Sequence, residues 1–203
     1  LERAYVHKSV AKDFLTELVK NIEKLEHNYP DVKAGQIGPI ISDKQVEIVK
    51  HQLQDAKDKG AKVLCGGNVI KLGGGYYCQP TVLVNASPDM AVLNEETFAA
   101  ILPVIVVDSD HQAVVSANDS DYGLSAAVFS QDIRHAESIA NQLLAGAISI
   151  NDASLTALVH EMEKQSFKHS GLGGSRMGVA SIFRFVRKKA FIRNTGVSSP
   201  WWF

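Results

Sequence analysis

Apolar residues recur at three- and four-residue steps along two early stretches of the chain and in short unbroken runs along several later ones. The first periodic stretch, Lys12 to about Glu26, puts Leu15, Leu18, Ile22 and Leu25 on one helical face. Tyr5 and Val6 read as a short strand before it, and Ser9 is the candidate cap. Asn28, Pro30 and Gly35 break the pattern. Ser42, three residues before Gln45, forms a capping-box signature. The helix it opens runs to about Lys59 and buries Val46, Val49, Leu53 and Ala56, and Gly60 stands where a C′ glycine ends a helix.

The rest of the pattern switches between strand and helix. Lys62 to Cys65 is a short strand closed by Gly66-Gly67. After the turn Gly73-Gly74-Gly75, Tyr76 to Val84 is rich in aromatic and β-branched residues, with Pro80 marking an edge position or a bend. Ile101 to Val107 is continuously apolar and reads as a strand buried on both faces. Asp110 is a plausible cap for a helix to about Asn118 that carries Val114 and Ala117 inward. A strand at Leu124 to Phe129, a helix at Ile133 to Leu144 burying Ile139, Ala140 and Leu143, and a strand at Ala147 to Ile150 complete the alternation. That order implies crossover connections: an α/β fold with a largely parallel sheet and helices on both faces. Asn151 to Gly178 is a long loop with possible helical pieces, of a length more often functional than accidental. Val179 to about Lys188 reads as helical and Ala190 to Arg193 as extended.

Composition narrows the partners. The 203 residues are enough for one large domain or two small ones, and 21 basic against 22 acidic side chains, with no block of like charge, give no reason to expect nucleic acid or an anionic membrane. The longest apolar run, Ala99 to Val107, includes Pro103 and is far short of the ~20 residues a bilayer span needs. A soluble, cytoplasmic protein is expected. The two cysteines, Cys65 and Cys78, have no zinc or CxxC spacing, and the seven histidines have none either, so no metal is expected. As free thiols inside strands, both cysteines read as small buried hydrophobes. Gly171-x-Gly173 is followed by Arg176, where a dinucleotide fingerprint needs glycine or alanine. Leu1 is no initiator, and the opening residues read as the middle of a fold.

The candidate chemistry centres on Asn94-Glu95-Glu96-Thr97-Phe98, a polar phrase between two apolar segments. Two adjacent glutamates are ordinarily solvated loop acids. The sharper reading is that a carboxylate accepts hydrogen bonds from both hydroxyls of a ribose while an aromatic two residues on leans against a flat heterocycle. The surrounding phrases favour the second. Gly75-Tyr76-Tyr77-Cys78-Gln79-Pro80-Thr81-Val82-Leu83, the Asn94 to Phe98 phrase, Leu102-Pro103-Val104, Tyr122-Gly123-Leu124-Ser125-Ala126-Ala127-Val128-Phe129 and Ala145-Gly146-Ala147-Ile148-Ser149-Ile150-Asn151, in this order and spacing, resemble the aldehyde dehydrogenase superfamily over nearly the whole chain.

The resemblance implies the C-terminal part of the catalytic domain of an NAD(P)-dependent aldehyde dehydrogenase. It implies that Glu96 binds the nicotinamide ribose and that Phe98 contacts the nicotinamide end of the cofactor, NAD or NADP. Such enzymes attack an aldehyde with a cysteine thiolate, pass hydride to the cofactor and hydrolyse the thioester with a glutamate as base. The resemblance places nucleophile, base and oxyanion-binding asparagine upstream of Leu1, so no catalytic residue is expected in this chain. Asn151 opens the loop where the family has its substrate entrance, making Leu155 and Thr156 candidate tunnel-lining residues beside the alternative of ordinary loop packing. Residues 1–187 are expected to be the partial catalytic domain. Residues 188–203 are expected to be an association strand and tail, with Ala190 to Arg193 extending a sheet in a homodimer or homotetramer and Trp201-Trp202-Phe203 facing a partner or buried. Ala99-Ala100 where the family commonly has Gly-Pro, Gln165-Ser166 in place of a glycine pair, and one extra residue within Gly171 to Gly178 are departures that bear on the shape of the entrance. The competing reading is a stand-alone, non-catalytic binding or oligomerisation module, and the reading frame upstream of Leu1 discriminates the two.

Overall fold

A computed structural model describes residues 2–172, 174, 177–193 and 195–196. The chain packs as two compact units, Leu1–Asp121 and Tyr122–Phe203.

The first unit is built on a four-stranded sheet. In chain order its elements are β1 (Ala4–His7), α1 (Lys8–Ile22), α2 (Asp43–Asp58), β2 (Lys62–Cys65), β3 (Val69–Leu72), β4 (Gly75–Cys78), β5 (Thr81–Val84), α3 (Ala91–Asn94), β6 (Ile101–Val107) and α4 (Asp110–Asn118). The sheet order is β1-β6-β5-β2, with β6 parallel to both β1 and β5 and β2 antiparallel at the edge. β5 is buried along its whole length, and its alternate residues serve opposite faces. Leu83 packs with Val49, Leu53 and Ala56 of α2 and with Met90 and Val92, whereas Val82 and Val84 join Val6, Ala11 and Val104 under the half-buried Leu15, Leu18 and Ile22 of α1. The parallel sheet covered by helices on both faces is thus as the hydrophobic pattern predicts.

Several local expectations are corrected. The cap of α1 is His7, whose Nδ1 accepts from the Ser9 N–H, so the helix starts and ends earlier than the apolar spacing indicated and leaves Leu25 outside it. Ser109, not Asp110, caps α4, because its hydroxyl accepts from the Gln112 N–H. The run Tyr76 to Val84 is two strands, broken at Gln79-Pro80, and β4 pairs back onto an unforeseen strand, β3. The two-residue turn between them is Gly73-Gly74, both at positive φ (54° and 88°), the backbone twist that tight hairpins require. β6 has the expected bounds but is not buried throughout: Val106 is 45% exposed.

The second unit holds β7 (Tyr122–Gly123), β8 (Ala126–Val128), α5 (Ile133–Ala140), β9 (Ile148–Ile150), α6 (Leu155–Leu158), β10 (Phe167–Lys168) and a 3-10 helix, Val179–Arg184. β8 and β9 are parallel, β7 and β10 antiparallel. The strand expected over Leu124 to Phe129 is confined to its middle, and both end residues are exposed. α5 stops at Ala140, is capped by Asp132, and its buried residue is Ala136; Ile139, Ala140 and Leu143 are only half-buried. The long loop contains α6 and β10, which consumes part of its length. Ala190 to Arg193 forms no ladder with any described residue. Trp201 to Phe203, and Gly173 and Arg176 of the glycine cluster, lie outside the described residues. Among the described residues no helix is long and apolar enough to cross a membrane, and no His, Cys, Asp and Glu group could hold a metal.

Candidate functional site

The phrase Asn94 to Phe98 is the link from α3 into β6, and it divides by depth. Thr97 is buried (1% exposed), Glu95 and Glu96 are exposed, and Phe98 is 71% exposed. Phe98 also has φ of 44°, a left-handed conformation that a bulky residue adopts only when its surroundings hold it there. Both flanks supply that hold. On the far side the Thr81 N–H donates to the Ala100 carbonyl and the Ile101 N–H to the Ala99 carbonyl, which fixes the Ala99-Ala100 departure to the first residues of β5 and β6. On the near side the backbone is gripped by α2.

That grip follows one face of the helix. Gln45 Nε2 donates to the Thr97 carbonyl at 2.5 Å, and Gln52 Nε2 to the Glu96 carbonyl at 3.5 Å. Asp55 Oδ2 accepts from the Ala91 N–H at 2.8 Å, the first residue of α3. Lys59 Nζ donates to the Asp89 carbonyl at 2.6 Å and pairs with Asp55 at 2.7 Å. Spacings of seven, three and four keep these side chains on one face over ~21 Å of helix. Their partners run backwards along the chain, 97, 96, 91 and 89. Thr97 N–H donates to Glu2 at 3.3 Å, and Asn94 Nδ2 donates to the Pro88 and Met90 carbonyls. The link is held by its backbone from several directions. Among the described residues nothing pairs with the Glu96 carboxylate. An aromatic ring and a carboxylate two residues apart therefore stand in solvent on a fixed backbone.

Sequence reasoning nominated Glu96 and Phe98, did not point to Gln52 and Asp55, and read Gln45 only as a cap partner. Ser42 Oγ does accept from the Gln45 N–H, yet the Gln45 amide goes to Thr97 and not back to the cap. The available signal was Gln52 itself, a polar residue inside the stripe Val49, Leu53, Ala56.

In the second unit, Asn151, Leu155 and Thr156 lie within one short stretch after β9. Asn151 is at φ of 58°, and both ends of its amide bond the Ser130 backbone: Oδ1 accepts from the Ser130 N–H and Nδ2 donates to the Ser130 carbonyl, both at 2.9 Å. Leu155 opens α6 and is exposed, while the Thr156 carbonyl accepts from Lys164 Nζ at 2.6 Å. The cysteines are poor nucleophiles where they stand. Cys78 is 2% exposed, burial pushes its thiol up to about 11, and its Sγ donates to the Gln79 carbonyl. The Cys65 thiol is raised by the same cause.

The sequence model described as the aldehyde dehydrogenase family matches residues 1–191. A betaine aldehyde dehydrogenase of Brucella anthropi is 31% identical over 98% of this chain, which covers 41% of that protein. PutA of Anabaena variabilis, provisionally described as an aldehyde dehydrogenase, superposes with a TM-score of 0.92 at 50% identity, over all of this chain and 44% of its own. The betaine aldehyde dehydrogenase of Staphylococcus aureus in complex with NAD+ superposes with a TM-score of 0.88 at 28% identity, over all of this chain and 40% of its own. The chain thus spans about two fifths of the length of the relatives it matches.

Proposed function

The chain belongs to the aldehyde dehydrogenase family, and from that premise we propose that it is the segment of an NAD(P)-dependent enzyme that receives the nicotinamide end of the cofactor. The observation that carries this reading is the link before β6, where α2 holds the backbone while the Glu96 carboxylate and the Phe98 ring stay free. Glu96 would accept hydrogen bonds from the ribose hydroxyls, and Phe98 would contact the nicotinamide end. A carboxylate accepting from two neighbouring hydroxyls fits the donor pattern of a ribose, and charge-assisted bonds of this kind are the stronger ones. When bound, NAD or NADP would supply the hydride acceptor for oxidation of an aldehyde to an acid. The cysteine that attacks the aldehyde and the glutamate that hydrolyses the thioester come from elsewhere in the full-length protein. Asn151, Leu155 and Thr156 border the substrate entrance, and the stretch around Ala190 to Arg193, with Phe191 and Ile192 exposed, adds a strand to a partner in a homodimer or homotetramer.

The deciding experiment is Glu96→Gln in the full-length enzyme. Losing the charge from a ribose-binding carboxylate raises the KM for cofactor by about tenfold and slows turnover. Unchanged kinetics removes the assignment. The 203-residue chain on its own is expected to form no NADH from any aldehyde, and measured aldehyde-dependent NADH formation by it would refute the division of labour.

A further inference from the structure

We propose that Gln45 and Gln52 are positioning residues for Glu96: an amide clamp on α2 that sets where the carboxylate meets the ribose. The proposal rests on the cofactor reading of Glu96 above. Two features point to a task beyond holding the fold. Gln52 is fully buried in the apolar stripe of α2, yet its Nε2 makes only a long 3.5 Å contact and its Oε1 has no partner. A buried amide left half-satisfied is destabilising, so an apolar residue of similar length would serve the core better at this position. The second feature is that Gln45, at the third helical position, sends its amide across 52 residues of sequence to the Thr97 carbonyl, bypassing the capping site that its position favours. The two carbonyls taken are those of Glu96 itself and of the residue after it. Fixing both peptide groups sets the direction of the Glu96 Cα–Cβ bond and delivers Phe98 into its left-handed conformation. Neither glutamine is a catalytic residue; both act through Glu96.

The test uses full-length enzyme with Gln45→Met and Gln52→Met, which keep length and helix propensity but donate nothing. The readouts are Tm and the Kd for NAD+ by titration calorimetry, with the KM for cofactor alongside. Gln52→Met is expected to hold or raise Tm while weakening NAD+ about fivefold, and Gln45→Met to weaken it about tenfold. In a Glu96→Gln background both changes lose most of their effect on Kd, because the group they position no longer binds as it did. A merely structural role would give the opposite, a lower Tm with an unmoved Kd, and would overturn the proposal. If Glu96→Gln weakens NAD+ and neither methionine variant does, the clamp is wrong and the ribose reading stands. If Glu96→Gln itself leaves Kd unchanged, the ribose reading falls first. Should Gln52→Met fail to fold, Gln45→Met alone decides, since that side chain is only half-buried and tolerates the change.

Discussion

Of the four non-glycine residues at positive φ among the described residues, Asn85, Phe98, Asn151 and Lys168, Asn151 and Phe98 solve the same backbone problem in opposite ways. At the end of β9, Asn151 adopts φ of 58° and its own side chain secures it, bonding the Ser130 N–H through Oδ1 and the Ser130 carbonyl through Nδ2. Before β6, Phe98 adopts φ of 44° and contributes nothing to its own restraint: its ring is exposed, while Gln45, Gln52 and the ends of β5 and β6 hold the peptides around it. Asparagine tolerates the left-handed region because its short amide bonds locally, and phenylalanine has no such compensation. A strained residue whose side chain does the holding has a structural explanation that is complete. One whose side chain is left idle while others do the holding points to a ligand.

The comparison breaks most visibly at Asn151. Asn151→Ala removes two hydrogen bonds and leaves a Cβ in the left-handed region, for an expected loss of about 2–3 kcal/mol. Asn151→Gly removes the same bonds without the strain, and so costs about 1 kcal/mol less. Urea unfolding of the full-length protein measures both. Two variants of equal stability would mean that strain contributes nothing at this turn.

Phe98→Gly sharpens the other side. Here no side-chain bond is lost and the strain is relieved, so the change is expected to be neutral or stabilising by up to about 1 kcal/mol. On the proposed cofactor reading, the KM for cofactor is expected to rise several-fold at the same time. Opposite signs in stability and cofactor binding at Phe98, against a plain loss of stability at Asn151, are the signature of the two designs. A clear destabilisation by Phe98→Gly would place the ring in a structural role and remove the contrast.

How far these turns can be read from sequence follows from the range of the forces that build them. Ser42 as a cap, the buried face of α2, β2 and β6 with their exact bounds, and the C′ glycine Gly60 are local matters of periodicity and turn chemistry, and all were legible. β3 was not: Val69–Leu72 is short and contains Lys71, and only pairing across Gly73-Gly74 makes it a strand. Caps shifted by one or two residues, to His7 and Ser109, whose side chains accept from the Ser9 and Gln112 N–H groups. Glu96 and Phe98 are nominated by the phrases around them, whereas their exposure and strain were not legible. The clamp was hidden for a plainer reason: its bonds join residues 44 and 52 positions apart, and no local pattern encodes them.

The smallest expected effect concerns the other end of the α2 grip, where Asp55 holds the start of α3. Its carboxyl is kept below the usual 3.8 first by the hydrogen bond from Lys59 and then by the Ala91 N–H. A carboxylate depressed in the folded state stabilises the fold above its unfolded pKa and loses that contribution as pH falls through the folded value. Asp55→Asn should therefore be slightly less stable than the native protein at pH 6, and the two should converge as the pH drops below about 3.8. The effect is small because Lys59 and Asp55 meet near the surface, where screening is strong. Added salt should narrow the gap at pH 6 for the same reason. Asp89 is likewise held low, first by the Ser87 hydroxyl, and also faces Lys59, so the variant curve retains a residual acid slope. Thermal unfolding of both proteins between pH 6 and pH 3 checks it. A gap that stays constant to pH 3 would mean that Asp55 acts at α3 through shape alone, and the grip on the Glu96 link would then rest on the two glutamines.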